Sequence, residues 1–382
     1  MTRAETVPTD RALRTDWVAV AEELAPTFAA RAAGHDADDT FVSENYADLR
    51  RRRMFSATVP VELGGGGASP SEMCEVLRTL AHGCSSTALA LSMHTHQVLI
   101  PAWRWRQERA PVEPFLRRIA AEELVIATSG GSDWLTGSGR ADKVADGYRV
   151  SGRKIFASGS PAADIFTTMA IYDDPTEGPT VLHFTIPLDA PGVTRHDNWR
   201  TLGMRGTGSH DLTLDSVFVP DAAISVRRPS GRWSHIWHIV VACALPAIYS
   251  VYVGVAEAAR DVALREATRR RDDHTVQEMV GAMDTELSAA RLAWRSMVDA
   301  ANRGRVGPDV TNEVMIGRTL VGQAALRTAE AAMEVAGGAG FFRSAGLERL
   351  FRDVQGARYH ALRGAAQRRY AGRLALGLDP NE

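Results

Sequence analysis

Three closely spaced glycines, Gly337, Gly338 and Gly340, interrupt an alanine-rich helical pattern and are followed at once by a basic segment. A glycine costs about 1 kcal/mol inside a helix, so three together mark a break with a specific cause. Bare backbone N–H groups of this kind can approach an anion such as the pyrophosphate of a dinucleotide. A helix–helix turn that needs positive φ explains the same glycines equally well.

Histidine and cysteine spacing gives no metal site. His94 and His96 lie two residues apart in a helical pattern, which places them on different faces and argues against a shared ion. The odd set of three cysteines has no metal-ligand spacing. Buried thiols in a reducing cytoplasm are the expected role of these cysteines.

Bulk composition excludes several classes of partner. The chain has 382 residues, 45% of them hydrophobic, and a formal net charge of -2. That charge predicts neither nucleic-acid binding nor attraction to an anionic membrane. We find no uninterrupted apolar run of roughly 18 residues and no signal sequence at the N-terminus, and therefore expect no membrane span.

Hydrophobic periodicity divides the chain into three regions, which predict a mainly α fold with a central β-domain. Residues 1–123 predict an N-terminal helical domain, in which Ser69 or Ser71 could cap a helix after a glycine-rich turn. Residues 124–230 contain short β-rich segments and predict an antiparallel barrel or sandwich. Residues 231–382 predict a C-terminal four-helix bundle. The predicted strands are 124–128, 148–151, 165–172, 181–186 and 212–219, and the predicted bundle helices are 239–270, 275–302, 309–336 and 347–376.

Six motifs in this order resemble the acyl-CoA dehydrogenase superfamily over nearly the full chain. Each is weak alone, but together, at the spacing of that family, they indicate its fold and a flavin cofactor. The matching segments are Val59–Ala68, Gly131–Asp133, Lys154–Gly159 with Ala163–Asp164, Gly203–Ser209, Gly337–Phe341 and Glu348–Asp353.

The resemblance implies positions for the flavin. Phe156 would flank the isoalloxazine ring and Ser158 would hydrogen-bond near its N5. Ser132 and the backbone from Thr128 to Gly131 would meet the pyrimidine edge and the phosphates. Gly337, Gly338 and Gly340 would receive the FAD pyrophosphate. Without the resemblance, a hydroxyl that satisfies a strand end is the better interpretation of Ser158.

The sequence departs from the dehydrogenases where their catalytic glutamate is usually found. One usual position falls in Tyr359–Arg363 and the other in Cys243–Pro246, and neither segment contains an acid. A sister branch, the reduced-flavin monooxygenases, shares the Phe-x-Ser-Gly strand and dispenses with that glutamate. In such an enzyme His360 would be the first candidate for a base or proton donor and His94 the second. A histidine at the end of a surface helix is an equal alternative for His360.

Two enzymatic hypotheses follow. The first is FAD-dependent α,β-oxidation of an acyl thioester carried by CoA or a carrier protein. The alternative is a two-component monooxygenase that uses FMN or another flavin reduced by a separate reductase. A third hypothesis, a non-catalytic binding protein, conflicts with the retained flavin motifs. The resemblance also implies a homodimer or homotetramer, with a flavin reductase or electron-transfer protein as a further partner.

Overall fold

The computed structural model describes residues 15–131 and 133–381. The described part of the chain begins with five α-helices. Polar residues start the third of them: Ser69 Oγ accepts from the Glu72 N–H at 3.2 Å, and Glu72 Oε2 accepts from the Ser69 N–H at 3.4 Å. This reciprocal capping box confirms Ser69 as the helix cap. The helices are α1 Trp17–Ala37, α2 Ser43–Arg51, α3 Pro70–Gly83, α4 Ser85–Glu108 and α5 Glu113–Glu122.

Eight strands follow and form one sheet, in the order β6-β7-β3-β2-β4-β5-β8 with β1 paired to β4. Most pairings are antiparallel as expected, but β1 and β2 both run parallel to β4. The parallel pairing of β1 sets Thr128 beside Thr167. The strands are β1 Ile126–Thr128, β2 Arg140–Val144, β3 Gly147–Ala157, β4 Ile165–Asp174, β5 Gly178–Pro187, β6 Val193–Arg195, β7 His210–Pro220 and β8 Ile224–Pro229.

Five helices complete the described chain. Three of the four predicted bundle segments are single helices, but the last one, 347–376, is broken between Val354 and Gly364. Side chains of the bundle donate hydrogen bonds to backbone carbonyls in this break: Tyr249 Oη donates to the Ala357 carbonyl and Arg318 Nη2 donates to the His360 carbonyl. Tertiary hydrogen bonds thus replace helical ones there. The helices are α6 His235–Ala267, α7 His274–Asn302, α8 Pro308–Ala336, α9 Leu347–Val354 and α10 Gly364–Ala375.

Helix α6 is the central helix of the molecule, and most of its residues are buried. Together with the turn after it, the span His235–Arg270 is long and apolar enough to cross a membrane, with a mean hydropathy of 2.1 in its most apolar window. The expectation from the sequence that no apolar run reaches roughly 18 residues was therefore wrong. Because 94% of that window is buried inside the protein, its composition is weak evidence for a membrane span.

Candidate active site

A central cavity of about 930 Å³ lies where α4, the sheet, α6 and the break between α9 and α10 meet. One face of α4 and one face of α6 line it, at the three- and four-residue spacing of an α-helix. This volume is at the upper end of the roughly 300–1,000 Å³ typical of ligand sites, so it has room for a cofactor and a substrate together. The lining residues of the helices include Leu89, Met93, His96, Gln97 and Ile100 from α4, and Trp237, Val241, Ala244, Ile248 and Tyr252 from α6.

Four of the residues singled out from the sequence meet in this cavity. Thr128, Phe156, Ser158 and His360 all line it, although they come from β1, β3, the turn after β3 and the break before α10. Ser132 lies outside the described residues. The fold therefore assembles at one place groups that are up to 232 positions apart in the sequence.

Phe156 presents an apolar ring to the cavity from an unfavourable backbone conformation. Its φ is +59° and it is 49% exposed, with the ring edge-on to Trp199 at a centroid distance of 5.6 Å. Positive φ in a residue with a bulky side chain costs free energy and is found where the surrounding structure enforces it. An exposed aromatic face held in this way suits a planar, apolar ligand.

Ser158 begins a chain of three buried hydroxyl groups. Its Oγ lies 2.7 Å from Ser209 Oγ, which lies 2.7 Å from Thr207 Oγ1. Thr207 Oγ1 donates at 2.9 Å to the Met204 carbonyl, which cannot donate in return. The chain of donors is thereby ordered: Ser209 donates to Thr207 and Ser158 donates to Ser209. Ser158 Oγ is left with lone pairs to offer to an N–H group of a ligand.

His360 lies at the cavity wall, joined through Nε2 to the hydroxyl of buried Tyr252 at 2.5 Å. Burial, with smaller contributions from the positive charge of Arg318 and from His96, lowers the pKa of His360 to about 3. The imidazole is therefore neutral near pH 7. It is a weak base, and it shares one exchangeable proton with the Tyr252 hydroxyl, because either partner can be the donor in this bond.

The structure places His96, and not His94, in the cavity. His94 Nε2 donates to the Phe55 carbonyl at 2.8 Å, and its Nδ1 accepts from the Ile126 N–H at 3.1 Å. Both ring nitrogens are thus used, Nε2 to join α4 to the segment after α2 and Nδ1 to join α4 to β1, and His94 does not line the cavity. The catalytic role expected for His94 therefore finds no geometric support. Spacing by two residues showed that the histidines face different ways, but not which of them faces the cavity.

His96 was missed as a site residue by the sequence reasoning. Its Nδ1 donates to the Ser92 carbonyl at 3.0 Å, and its Nε2 accepts from the Gln97 amide at 3.0 Å. Burial lowers its pKa to about 4, so it too is neutral.

No carboxylate lines the cavity among the described residues. The two segments without an acid in the sequence both reach it, through Ala244 and Leu245 on α6 and through Tyr359–Arg363. Glu257, the one buried acid on α6, is held elsewhere by Arg78 at 2.7 Å and Arg291 at 2.6 Å. The cavity therefore contains no group with the ordinary chemistry of a carboxylate base.

The glycine turn lies apart from the cavity. Gly337 ends α8 at φ +61° and ψ -146°, a conformation open in practice to glycine alone. Gly340 is buried, and a Cβ there would lie 3.0 Å from that of Ala336 and 3.1 Å from Leu347 Cδ2. Within one chain, the structure does not bring the turn formed by Gly337, Gly338 and Gly340 to the other flavin candidates. It shows instead the helix–helix turn that needs positive φ.

Two buried cations hold the loop after β1 against the sheet. Lys154 Nζ donates to the carbonyls of Ser138 and Met169, each at 2.5 Å, and burial lowers its pKa to about 8. Arg228 donates to the carbonyls of Leu135 and Trp134, each at 2.6 Å. The sequence predicted a buried position for neither residue, because a lysine or arginine in a strand pattern is ordinarily exposed to solvent.

Within the described ranges, no group of three or more histidine, cysteine or acidic side chains could hold a metal ion. The cysteines Cys74, Cys84 and Cys243 are buried free thiols, and burial raises the pKa of each.

Comparisons with known proteins match the whole arrangement. The models for the N-terminal, middle and C-terminal domains of acyl-CoA dehydrogenases match residues 9–123, 127–217 and 242–367. The protein YdbM of Bacillus subtilis (strain 168), which carries the name of an acyl-CoA dehydrogenase, is 30% identical over 360 residues. That match covers 89% of this chain and 91% of YdbM.

Other relatives carry different activities in their names. The amino sugar nitrososynthase RubN8 of Streptomyces rubradiris is 28% identical, over 87% of this chain and 83% of its own length. Among solved structures, KijD3 in complex with FMN and dTDP-3-amino-2,3,6-trideoxy-4-keto-3-methyl-D-glucose superposes with a TM-score of 0.86. It is 27% identical, and the match covers 97% of each chain.

Proposed function

We propose that this chain, which belongs to the acyl-CoA dehydrogenase family, is the oxygenase component of a two-component flavin monooxygenase that acts on a small organic substrate. Its family makes it a flavin-dependent oxidoreductase, so the open question is which reaction the cavity supports. The sequence favoured dehydrogenation of an acyl thioester. The cavity and the relatives support the alternative better.

The absence of a carboxylate from the described cavity lining is the observation that carries this proposal. Removal of an α-proton from an acyl thioester needs a base near the flavin, ordinarily a glutamate. The histidines in the cavity are poor substitutes, because burial lowers the pKa of His360 to about 3 and that of His96 to about 4. An oxygenase removes no α-proton and therefore needs no such base. It needs groups that hold protons and deliver them at defined positions.

The residues present fit a flavin. Phe156 offers an exposed ring face, the ordered hydroxyl chain leaves an acceptor on Ser158, and Thr128 with the following backbone closes a third side. KijD3, which superposes over nearly the whole chain, was solved with FMN, and we propose FMN as the flavin used here. Reduced flavin supplies the two electrons that let molecular oxygen add one atom to the substrate and release the other as water.

This chain's own residues would bind, orient and exclude water. Ser158 Oγ, with its free lone pairs, would accept from an N–H group of a flavin ring. His360, in contact with the Tyr252 hydroxyl, holds an exchangeable proton at the cavity wall. The apolar lining from α4 and α6 restricts water, which would otherwise compete for the activated oxygen.

The test supplies the purified protein with FMN, NADH and a separate flavin reductase. We expect reduced FMN to bind more tightly than oxidised FMN, and ¹⁸O from labelled oxygen gas to appear in the product when amines and aromatic compounds are screened by mass spectrometry. Anaerobic bleaching of bound oxidised flavin by butyryl-CoA or octanoyl-CoA, without a reductase, would show a dehydrogenase instead. A separate reductase, a homo-oligomeric state and a cytoplasmic location remain parts of this proposal.

A further inference from the structure

We propose that the face of β4 and β5 in the cavity is a substrate subsite, in which His183 Nδ1–H binds an oxygen acceptor carried on a flat apolar molecule. A ketone, carboxylate or phenolate oxygen has this chemistry. The inference rests on the proposed function, because it names the class of substrate that the same cavity takes.

Two cross-strand pairs form this face. Thr167 pairs with Thr185 and Met169 pairs with His183, and all four side chains line the cavity. The two threonine hydroxyls bond to each other at 3.0 Å. Because residues two apart point to the same side of a strand, the sheet fixes His183 beside this hydroxyl pair.

The position of the proton on His183 follows from its partner. Arg228 Nε lies 3.0 Å from His183 Nε2, and a guanidinium can only donate. Nε2 must therefore carry the lone pair, and a neutral imidazole then has its hydrogen on Nδ1. Burial, together with the charges of Arg228 and Lys154, lowers the pKa of His183 to about 3, which keeps the ring neutral. Among the described residues, Nδ1 has no hydrogen-bond partner.

Arg228 adds positive charge but no further strong donor. Its Nη1 and Nη2 are committed to the Leu135 and Trp134 carbonyls at 2.6 Å, and its Nε is committed to His183. It is buried and makes no ion pair within the described part of the chain. Asp133 offsets part of the positive charge of Arg228 and of the nearby Lys154. The two cations together still leave a net positive charge next to His183, which favours a partially or fully negative oxygen at Nδ1–H and opposes an ammonium group there.

The walls around His183 are aromatic and aliphatic. Trp134 and Trp237 line the cavity with ring centroids 4.9 Å apart and planes at 90°, and Ile236 and Val240 continue the surface along α6. The guanidinium of Arg228 lies over the Trp237 ring, 4.7 Å from its centroid, in a cation–π contact. A flat apolar body fits these walls, with its one polar oxygen directed to His183.

Binding can be measured without turnover by isothermal titration of the protein saturated with FMN. The probes are acetophenone and benzoate, which carry an acceptor oxygen, and ethylbenzene and benzylammonium, which do not. A hydrogen bond worth about 1–1.5 kcal/mol corresponds to roughly tenfold in affinity, so acetophenone and benzoate should bind about tenfold more tightly than the other two.

His183→Phe removes the donor and should lower the affinity for acetophenone and benzoate about tenfold while leaving ethylbenzene within about twofold. His183→Asn retains a donor and should restore most of the affinity. His196→Phe makes the same change at an exposed histidine outside the cavity lining and should alter none of the four.

Three results would overturn the inference. The first is an equal loss of affinity for all four probes in His183→Phe, and the second is no binding of acetophenone and benzoate to the unaltered protein. The third is competition between FMN and benzoate. Competition would mean that His183 serves the flavin. The proposed reaction fails separately, through the absence of ¹⁸O in any product, while this binding pattern can persist.

Discussion

Removal of the Tyr252 hydroxyl tests the proton-handling group directly. Tyr252 is fully buried, and its Oη is 2.5 Å from His360 Nε2. Tyr252→Phe leaves Nε2 without a partner, at a cost of about 1–3 kcal/mol. At 1.36 kcal/mol per tenfold, this corresponds to roughly a 5- to 150-fold loss in proton delivery by His360. We expect the yield of oxygenated product per reduced FMN oxidised to decrease by roughly 5- to 150-fold. The affinity for reduced FMN should change by no more than about twofold.

The assay is a single turnover in which reduced FMN is mixed with protein, substrate and oxygen, and product is counted against flavin reoxidised. Tyr249→Phe is the matched control, because Tyr249 is equally buried on α6 and its hydroxyl donates to the Ala357 carbonyl at 2.8 Å. It should lose similar stability and keep its product yield. Gly356→Ala should reproduce Tyr252→Phe, since a Cβ there would lie 2.7 Å from Tyr252 Oη.

Two results would refute this reasoning. An unchanged product yield in Tyr252→Phe would show that the pair of Tyr252 and His360 takes no part in the reaction. An equal loss in Tyr249→Phe would show that general packing of the segment before α10 matters, and not the hydrogen bond to Nε2.

Three further predictions follow from the same contacts. Glu257→Gln should reduce the free energy of unfolding by about 1–3 kcal/mol in urea denaturation, because it removes the buried carboxylate that pairs with the half-buried guanidinium groups of Arg78 and Arg291. Burial alone would raise the Glu257 pKa, but hydrogen bonds and charges from His82, Arg78 and Arg291 outweigh it and lower the pKa to about 2; this stabilisation should thus be complete above about pH 4.5 and disappear as the pH falls towards 2. Ser209→Ala interrupts the ordered hydroxyl chain and should weaken binding of reduced FMN about fivefold, measured by anaerobic titration; unchanged binding would disprove that order. His94→Gln should lower the free energy of unfolding by about 1–3 kcal/mol with turnover kept within about twofold, and a large loss of turnover at unchanged stability would restore His94 as a catalytic residue.

Local patterns predicted the order of the elements well. Helical periodicity before residue 124 and after about 235, with β-rich segments between them, is a property of neighbouring residues and survives folding. The cap at Ser69 and the lack of an acid in the two expected segments were likewise readable from the sequence. The polar strand β2 was missed, since its Arg-Ala-Asp-Lys-Val pattern has too little apolar character to indicate a strand.

The sequence by itself determined the family, the alternation of helical and sheet regions, and most of the flavin candidates. Only the tertiary structure decided that His96 and not His94 reaches the cavity, that the last helix breaks before His360, and that Arg228 fixes the proton of His183. Periodicity distinguishes the faces of an element, but the partner that covers each face comes from distant parts of the chain. Burial of a charge and the position of a proton depend on those distant partners, and these decide the chemistry of the cavity.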